Sequence, residues 1–217
     1  MIIGLCGVMG SGKDTVADYL VNFHGWRRES FANSLKDGVA NIFGWDRQML
    51  EGRTKQSREW REQVDPWWAT RLGMKDLTPR WVLQYFGTEV VRSGFHDDMW
   101  IASLENKLRN SKDNVVITDV RFRNEIRMLR GLDAQIVEVA RGDKPKYWNE
   151  ALKYWEGGPE PKDIHRSEWD WIGTEFDVIL DNNKTIEDLY EQVNRLLPSQ
   201  DHQSEPQSPV SEAVPNS

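Results

Sequence analysis

A lysine and two hydroxyl side chains lie in or next to a glycine-rich turn near the start of the chain. The run Gly-Val-Met-Gly-Ser-Gly-Lys-Asp-Thr begins at Gly7 and ends at Thr15. Gly7, Gly12 and Lys13 match the frame G-x-x-x-x-G-K-[ST], in which backbone N–H groups surround phosphate oxygens and the lysine adds a mobile charge. Asp14 replaces the usual hydroxyl residue, and Thr15 follows it. The turn therefore predicts a site for nucleotide phosphates. Its predicted binding residues are Gly7, Gly10, Ser11, Gly12, Lys13, Asp14 and Thr15.

The residues on either side of the turn predict the elements that such a loop needs. The apolar run before it predicts a strand over Ile2–Cys6, and the spacing of Val16, Ala17 and Leu20 predicts a helix over residues 13–23. The start of that helix adds partial positive charge toward a bound anion. A glycine-rich turn that only joins a strand to a helix is the alternative interpretation.

A carboxylate follows a second apolar run. Residues 115–118 are apolar or β-branched, which predicts a buried parallel strand that ends at Asp119. Ligands gather beyond the carboxyl ends of such strands, and a carboxylate there can hold Mg²⁺ directly or through water. Asp14 or Thr15, with Asp119, is therefore predicted to bind the metal ion. A helix-capping role is the alternative for Asp119.

Two arginines come directly after that carboxylate. Arg121 and Arg123 face the same side if their segment is extended. Beside a phosphate loop, two such guanidiniums predict a clamp on a phosphoryl group in transit, and a solvated surface pair is the alternative. Together with Lys13 and Asp119, they are the predicted catalytic residues.

The polar stretch 142–174 is rich in Gly, Pro and Trp, and we predict that it is a lid that excludes water from phosphoryl transfer. Arg141 and Arg166 are predicted to reach the donor phosphates, whereas His165 is not assigned as a base. The other cations of this stretch are Lys144, Lys146 and Lys162. Candidates for stacking on a base are Trp67, Trp68, Trp169 and Trp171.

A further polar stripe lies on a predicted helix over residues 79–93, which Thr78 and Pro79 open. The stripe has steps of four residues and contains Arg80, Gln84, Thr88 and Arg92. Two guanidiniums, an amide and a hydroxyl suit a phosphate, a base edge and a sugar, which predicts an acceptor site. The polar face of an ordinary amphipathic helix is the alternative.

Composition limits the remaining classes. The 217 residues carry a net charge of -7, which argues against general nucleic-acid binding. A single cysteine, Cys6, excludes a disulfide framework and indicates a reducing compartment. No apolar run approaches the ~20 residues of a membrane span. We therefore expect a cytoplasmic protein that binds neither a membrane nor nucleic acid directly.

Strands separated by helices predict an α/β fold with a mostly parallel sheet flanked by helices. The predicted domain covers residues 1–198, with an acceptor-binding helical region at about 33–111 and the lid at about 142–174. The tail, residues 199–217, has five Ser and three Pro but no Lys or Arg, and is predicted to be disordered.

Several runs together resemble bacteriophage deoxynucleoside monophosphate kinases over residues 1 to about 197. These runs are the loop ending in Lys13-Asp14-Thr15, Phe31-Ala-x-x-Leu35-Lys36, Leu83-Gln-x-Phe-Gly-Thr88 with Arg92, Trp100-Ile101, Thr118-Asp-Val-Arg121-Phe-x-Asn-Glu125 and His165-x-Ser-Glu168. The resemblance implies the P-loop nucleoside monophosphate kinase fold and transfer of the γ-phosphoryl group of ATP to a deoxynucleoside monophosphate (dNMP) with Mg²⁺. It also implies a homodimer and adds Trp100 to the acceptor-binding residues.

Other functions remain open from the sequence alone. Phosphomevalonate kinase of the animal type also has a Ser-Gly-Lys-Asp loop, and dephospho-coenzyme A kinase has a similar layout. A nucleotide-switched binding protein would show slow hydrolysis without an acceptor, and a structural protein with a vestigial loop would not bind ATP. The acceptor-like stripe and the negative net charge favour the kinase.

Overall fold

The computed structural model describes residues 1–198, and the predicted disordered tail lies outside the described residues. These residues form one five-stranded sheet in the order β2-β3-β1-β4-β5, in which every pairing is parallel. The predicted α/β class is thus confirmed. The strands are β1 (Ile2–Cys6), β2 (Arg27–Glu29), β3 (Val115–Ile117), β4 (Gln135–Ala140) and β5 (Val178–Asp181).

Helices connect the strands, as parallel pairing requires. A 3₁₀ turn at Met49–Glu51, a π-helix at Phe86–Ser93 and a second 3₁₀ turn at Arg166–Glu168 lie between them. The α-helices are α1 (Lys13–His24), α2 (Asn33–Phe43), α3 (Lys55–Arg61), α4 (Pro66–Leu72), α5 (Pro79–Tyr85), α6 (Met99–Arg109), α7 (Arg123–Gly131), α8 (Trp148–Trp155) and α9 (Ile186–Asn194).

Helical layers cover both faces of the sheet. Successive strand residues point to opposite faces, so Ile3 and Leu5 of β1 pack against α1 and α9 on one side. On the other side, α6 and α7 pack on β3 and β4. Gly4 allows α7 to approach, because a Cβ there would lie 2.9 Å from Cδ1 of Leu129. The central strand β1 is therefore fixed from both faces, and with it the start of the loop that follows.

The region between β2 and β3 has a small core of its own, formed by Val39, Phe43, Leu50, Leu77 and Val82. The sequence of residues 57–72 predicts a single helical stretch, but the structure has two helices there, α3 and α4. Asp65 causes the break, because its carboxylate accepts hydrogen bonds from the N–H groups of Trp67 and Trp68, and Pro66 then starts α4.

The predicted lid contributes to the main core. Trp169, Trp171 and Ile172 are buried, and Trp148 and Ala151 of α8 join the same cluster on the sheet. The interpretation of Trp169 and Trp171 as base-stacking residues is wrong, because their rings are enclosed. Of the other predicted pair, Trp68 donates to the carbonyl of Phe43 within the helical region. The large rings of this polar stretch thus fasten it to the sheet.

Among the described residues, none of the helices combines the length and the apolar character that crossing a membrane requires.

Candidate active site

The predicted chemical groups meet at the carboxyl edge of the sheet. Since all strands are parallel, the segments after β1, β2, β3 and β5 leave the same edge. The glycine-rich loop follows β1, and Asp119 lies shortly after β3. The two strands are neighbours in the sheet, so the loop and the carboxylate come together as the sequence predicted.

The loop after β1 contains two positions that only glycine can occupy without strain. Gly7 and Gly12 have φ values of 141° and 108°, in the region that side chains avoid. A Cβ on Gly7 would lie 2.5 Å from the carbonyl oxygen of Val139, and one on Gly12 would lie 2.3 Å from the amide nitrogen of Asn182. Asn182, from the segment after β5, donates to the carbonyl of Ser11 at 2.7 Å. The loop is therefore held from outside.

Two polar groups of the loop are oriented toward its interior. The Ser11 side chain is 1 % exposed, and its Oγ has no hydrogen-bond partner among residues 1–198. A buried hydroxyl without a partner is costly, and a phosphate oxygen would satisfy it. The cradle formed by Gly7 and Gly12 also leaves backbone N–H groups accessible at the start of α1. The residues present therefore fit a bound phosphate group.

Lys13 lies across this loop. Its Nζ donates to the carbonyls of Gly7 at 2.7 Å and Val8 at 2.9 Å. Burial lowers the pKa of Lys13, and the positive charge of Arg121 lowers it further, whereas Asp14 and Glu168 act in the opposite direction. Arg121 is thus close enough to Lys13 to influence its charge, which unites the loop with the segment after β3.

The two predicted metal residues of α1 differ in their surroundings. Asp14 is exposed and forms an ion pair with Arg28 of β2, an interaction that competes with a metal ion for its carboxylate. Thr15 is partly buried one position later. Among residues 1–198, no group of three or more His, Cys, Asp or Glu side chains converges to hold a metal. Mg²⁺ at this site would be held by substrate phosphate oxygens, by water and by one or two side chains, which is its usual ligand set at phosphate sites.

Asp119 has a structural role, although it is not the helix-capping role that the sequence left as the alternative. Its two carboxylate oxygens accept hydrogen bonds from the N–H of Phe31 at 3.0 Å and of Ala32 at 3.3 Å. Burial raises the pKa of Asp119, while these N–H groups and the charge of Lys36 counteract the rise. Asp119 thereby fixes the turn after β2 against the segment after β3, and only its remaining lone pairs are available to a metal-bound water.

A second buried carboxylate lies beneath this segment. Glu125 of α7 is 3 % exposed, and its Oε2 accepts hydrogen bonds from the N–H of Arg121 at 2.8 Å and of Phe122 at 3.0 Å. Burial, followed by the charge of Asp119, raises the pKa of Glu125 to about 8. The backbone that carries Arg121 is thus held by a carboxyl group that is protonated at neutral pH.

Arg121 and Arg123 do not form one clamp. The guanidinium of Arg121 pairs with Glu168 at 3.0 Å, near Lys13. The guanidinium of Arg123 donates to the carbonyls of Asp170 at 3.1 Å and Ile172 at 2.8 Å, and it lies 3.8 Å from the ring centroid of Trp155. Arg123 therefore fastens the predicted lid to α7, and its assignment to the phosphoryl group is corrected.

Asp170 completes this attachment. Its side chain is 2 % exposed and accepts hydrogen bonds from the N–H of Arg123 at 2.7 Å and from Nε of Arg166 at 2.6 Å. Arg166, a predicted donor-site residue, is therefore engaged by a carboxylate. His165 begins the 3₁₀ turn by accepting from the N–H of Ser167. Arg141, the other predicted donor-site cation, lies exposed directly after β4.

The predicted acceptor stripe is divided between two places. Arg80 pairs with Glu62 at 3.3 Å, and the hydroxyl of Thr88 donates back to the carbonyl of Gln84 at 2.7 Å. The guanidinium of Arg92 lies 5.8 Å from the ring centroid of Phe122, in the segment after β3. The prediction of one polar stripe assumed an α-helix over residues 79–93. The second half is a π-helix, in which residues four apart do not lie on one face.

Trp100, assigned to the acceptor site through the resemblance, has a specific partner. Its Nε1 donates to the carbonyl of Gly87 at 3.0 Å. The indole therefore contacts the π-helix, and Gly87 itself is buried against Leu35.

Several residues of the site had no assigned role in the sequence analysis. Glu125 and Glu168 occur in the runs that resemble the kinase family but were given no function. Asp170 and Asn182 were not proposed as site residues. Asp170 and Arg123 are 47 positions apart, so spacing offers no signal for that contact. The run Phe-x-Asn-Glu after Arg121 does contain a signal for Glu125, since a glutamate at the third position of a helix accepts from the preceding backbone.

Comparisons with known proteins identify the family of this chain. The family model described as deoxynucleotide monophosphate kinase matches residues 70–193. A protein of Acanthamoeba polyphaga mimivirus, provisionally named a deoxynucleotide monophosphate kinase, is 31% identical over 208 residues, which cover 89% of this chain and 94% of that protein. The deoxynucleoside-5'-monophosphate kinase of Escherichia phage T5 is 28% identical over 201 residues, covering 66% of this chain and 79% of that protein. The chain belongs to the deoxynucleotide monophosphate kinase family.

Proposed function

We propose that the protein transfers the γ-phosphoryl group of ATP to the 5′-phosphate of a dNMP, yielding ADP and a deoxynucleoside diphosphate, and so supplies DNA precursors. The observation that carries this proposal is the glycine-lined loop after β1, in which Ser11 Oγ is buried without a partner among residues 1–198 and Lys13 Nζ lies on the carbonyls of Gly7 and Val8. Such chemistry needs positioned cations and no covalent intermediate with the protein. Family membership supports the class of acceptor.

The donor phosphates are assigned to the loop and the start of α1. The N–H groups of the loop and the hydroxyl of Ser11 suit phosphate oxygens, and Lys13 can exchange its two carbonyl partners for them. Thr15 is our first choice for holding Mg²⁺, with Asp14 and Asp119 acting through water. When bound, the metal ion neutralises charge on the transferred group.

Arg121 is the residue that we assign to the phosphoryl group in transit. It is half exposed, lies near Lys13 and has a carboxylate partner that a phosphoryl group can replace. Glu125 fixes the backbone of Arg121, so only the Arg121 side chain has to move to reach the phosphoryl group. Arg141 and Arg166 are kept as the candidate cations of the lid, although Arg166 must first leave Asp170.

The acceptor monophosphate is assigned to the place where the π-helix meets the segment after β3. Arg92 faces Phe122 on that side and is the candidate for the acceptor phosphate. Gln84, with Thr88 and Arg80 on the same pair of helices, remains the candidate set for the base and sugar. The negative charge of Glu62 holds Arg80 in this structure, so an acceptor would have to displace that ion pair.

An acceptor panel tests the proposal. ADP release is measured with ATP, Mg²⁺ and each of dGMP, dTMP, dCMP, dAMP, the ribonucleotides, phosphomevalonate and dephospho-coenzyme A. We expect turnover with at least one dNMP and little with the last two compounds. Activity on phosphomevalonate or dephospho-coenzyme A alone would instead identify another small-molecule kinase.

Replacement of Lys13 tests the loop assignment separately. Lys13→Ala should reduce kcat by about a thousandfold or more, since it removes the cation that contacts the donor phosphates. The exposed Lys112→Ala is the matched control and should retain full activity. Near-normal turnover by Lys13→Ala would remove the loop from the mechanism.

We also propose a homodimer in the host cytoplasm. Tyr85, Val90, Phe95 and Met99 carry large exposed apolar side chains on the π-helix and its neighbours, a feature that favours a contact surface. Light scattering of the purified chain measures the mass in solution, and a monomer at micromolar concentration would contradict the dimer.

A further inference from the structure

The helix that carries the acceptor candidates changes its hydrogen-bond pattern without a break. Residues Pro79–Tyr85 are α-helical, and Phe86–Ser93 continue as a π-helix of eight residues. π-Helical turns are rare, and they are found mostly at functional sites because their wider bonding pattern has to be stabilised by other contacts. The question is therefore what holds this turn in place.

Two contacts from outside the helix converge on Gly87. The indole Nε1 of Trp100 donates to its carbonyl at 3.0 Å, from α6. On its other side, Leu35 of α2 packs so closely that a Cβ on Gly87 would lie 3.0 Å from Leu35 Cδ2. Gly87 is buried within the π-helix. The position is thus fixed by a directed hydrogen bond and by a steric limit.

Gly87 and Arg92 are also separated by the hydrogen-bond spacing of the π-helix. In a π-helix the bonding step is five residues, and Arg92 is five residues after Gly87, so one π-turn separates the two. The Arg92 guanidinium lies 5.8 Å from the Phe122 ring centroid, and its charge acts on Glu125. The turn that begins at Gly87 therefore places Arg92 beside Phe122, the residue that follows Arg121 in the chain.

We propose that Trp100 is a positioning residue for Arg92, which it orients toward the acceptor phosphate by holding the π-turn at Gly87. The proposal rests on the proposed function, in which Arg92 binds the acceptor. It replaces the earlier interpretation of Trp100 as a residue that touches the substrate. Its hydrogen bond to the backbone is the contact through which it acts.

A double-mutant cycle on the full chain tests this role. Trp100→Phe keeps a large ring but removes the donor, and it should raise the KM for the preferred dNMP by about fivefold, as expected for one lost hydrogen bond. The KM for ATP should stay unchanged. Arg92→Ala should raise the dNMP KM by on the order of 50-fold, as expected for a lost charge-assisted contact. In the Arg92→Ala background, Trp100→Phe should add less than about twofold, because the residue that it positions is absent.

Matched variants separate positioning from folding. Trp45→Phe removes an indole hydrogen bond that goes to Asp65 rather than to the π-helix, and its dNMP KM should equal that of the wild type. Gly87→Ala places a Cβ 3.0 Å from Cδ2 of Leu35, so the turn or the Leu35 side chain has to shift while Trp100 is left unchanged, and it should raise the dNMP KM as Trp100→Phe does. It serves as the test if Trp100→Phe does not fold.

Three results would overturn the positioning role. They are an unchanged dNMP KM in Trp100→Phe, an equal rise in the KM for ATP, and fully multiplicative effects with Arg92→Ala. A wild-type protein that phosphorylates no dNMP would instead overturn the proposed function. The two failures are thus distinguishable, since only the second appears in the unmutated chain.

Discussion

The protonated carboxyl of Glu125 makes the free energy of unfolding depend on pH. Replacing Glu125 by glutamine should remove this dependence. Glu125 is buried under the segment of Arg121, where its pKa is about 8 instead of 4.5. Glu125→Gln keeps the shape and an oxygen for the two N–H groups but has no proton to lose. The variant therefore differs from the wild type only in the charge that appears when the carboxyl ionises.

The direction and size of the effect follow from proton linkage. Between pH 4.5 and 8 the folded state keeps the proton of Glu125 while the unfolded state releases it, so stability falls as pH rises. One pKa unit corresponds to about 1.36 kcal/mol. From pH 5 to pH 8 the wild type should lose about 3 kcal/mol relative to Glu125→Gln. Below about pH 4 both states are protonated, so the stability that Glu125 contributes is fully present and no longer changes with pH.

Urea unfolding at several pH values measures this difference directly. The free energy of unfolding is compared for the wild type and Glu125→Gln from pH 5 to pH 8, with the exposed Glu150→Gln as control. We expect the gap between the first two to widen with pH in favour of the glutamine variant, and the control to run parallel to the wild type. A gap that stays constant within about 1 kcal/mol would show that Glu125 ionises normally and would refute the reasoning.

Three further predictions concern the loop and the predicted lid. Asp170→Ala should lower the free energy of unfolding by about 2 kcal/mol, because it leaves the backbone N–H of Arg123 and the Nε of Arg166 without their acceptor, and urea unfolding measures the loss. Trp169→Ala truncates a core side chain and should lower the free energy of unfolding by about 4 kcal/mol in the same assay. The dNMP KM of the folded fraction should change little. A higher KM without a loss of stability would show that the Trp169 ring contacts the substrate. Thr15→Val should raise the Mg²⁺ concentration required for half-maximal turnover more than Asp14→Ser does, and the reverse order in a magnesium titration would make Asp14 the metal residue.

The fold was predictable where apolar patterns are long and local. The apolar run at residues 2–6 and the alternation at residues 135–140 each predict a strand, and β1 and β4 have these bounds. The sequence also predicts a short strand over residues 27–31, but β2 is only three residues long and partly exposed at the edge of the sheet, so that prediction was too long. Helix type was not predictable at Phe86–Ser93, since an amphipathic pattern suits both α- and π-helices over so few turns.

The site was predictable where one short segment carries the chemistry. The loop from Gly7 to Thr15 has its glycines at positive φ and its lysine folded over the turn, as its sequence implies. The partners of Arg121 and Arg123 were not predictable, because Glu168 and Asp170 each lie 47 positions away. A polar composition also concealed that Trp169 belongs to the core.

The sequence by itself determined the phosphate loop, the parallel α/β arrangement and the family, because each depends on short local runs and on their order along the chain. Only the tertiary structure decided which groups the arginine side chains contact. It assigned Arg121 to the neighbourhood of Lys13, gave Arg123 to the attachment of the predicted lid, and directed Arg92 through a π-turn toward Phe122. The physical reason is that a guanidinium takes its role from the acceptors and charges around it, and these groups come from segments that are distant along the chain.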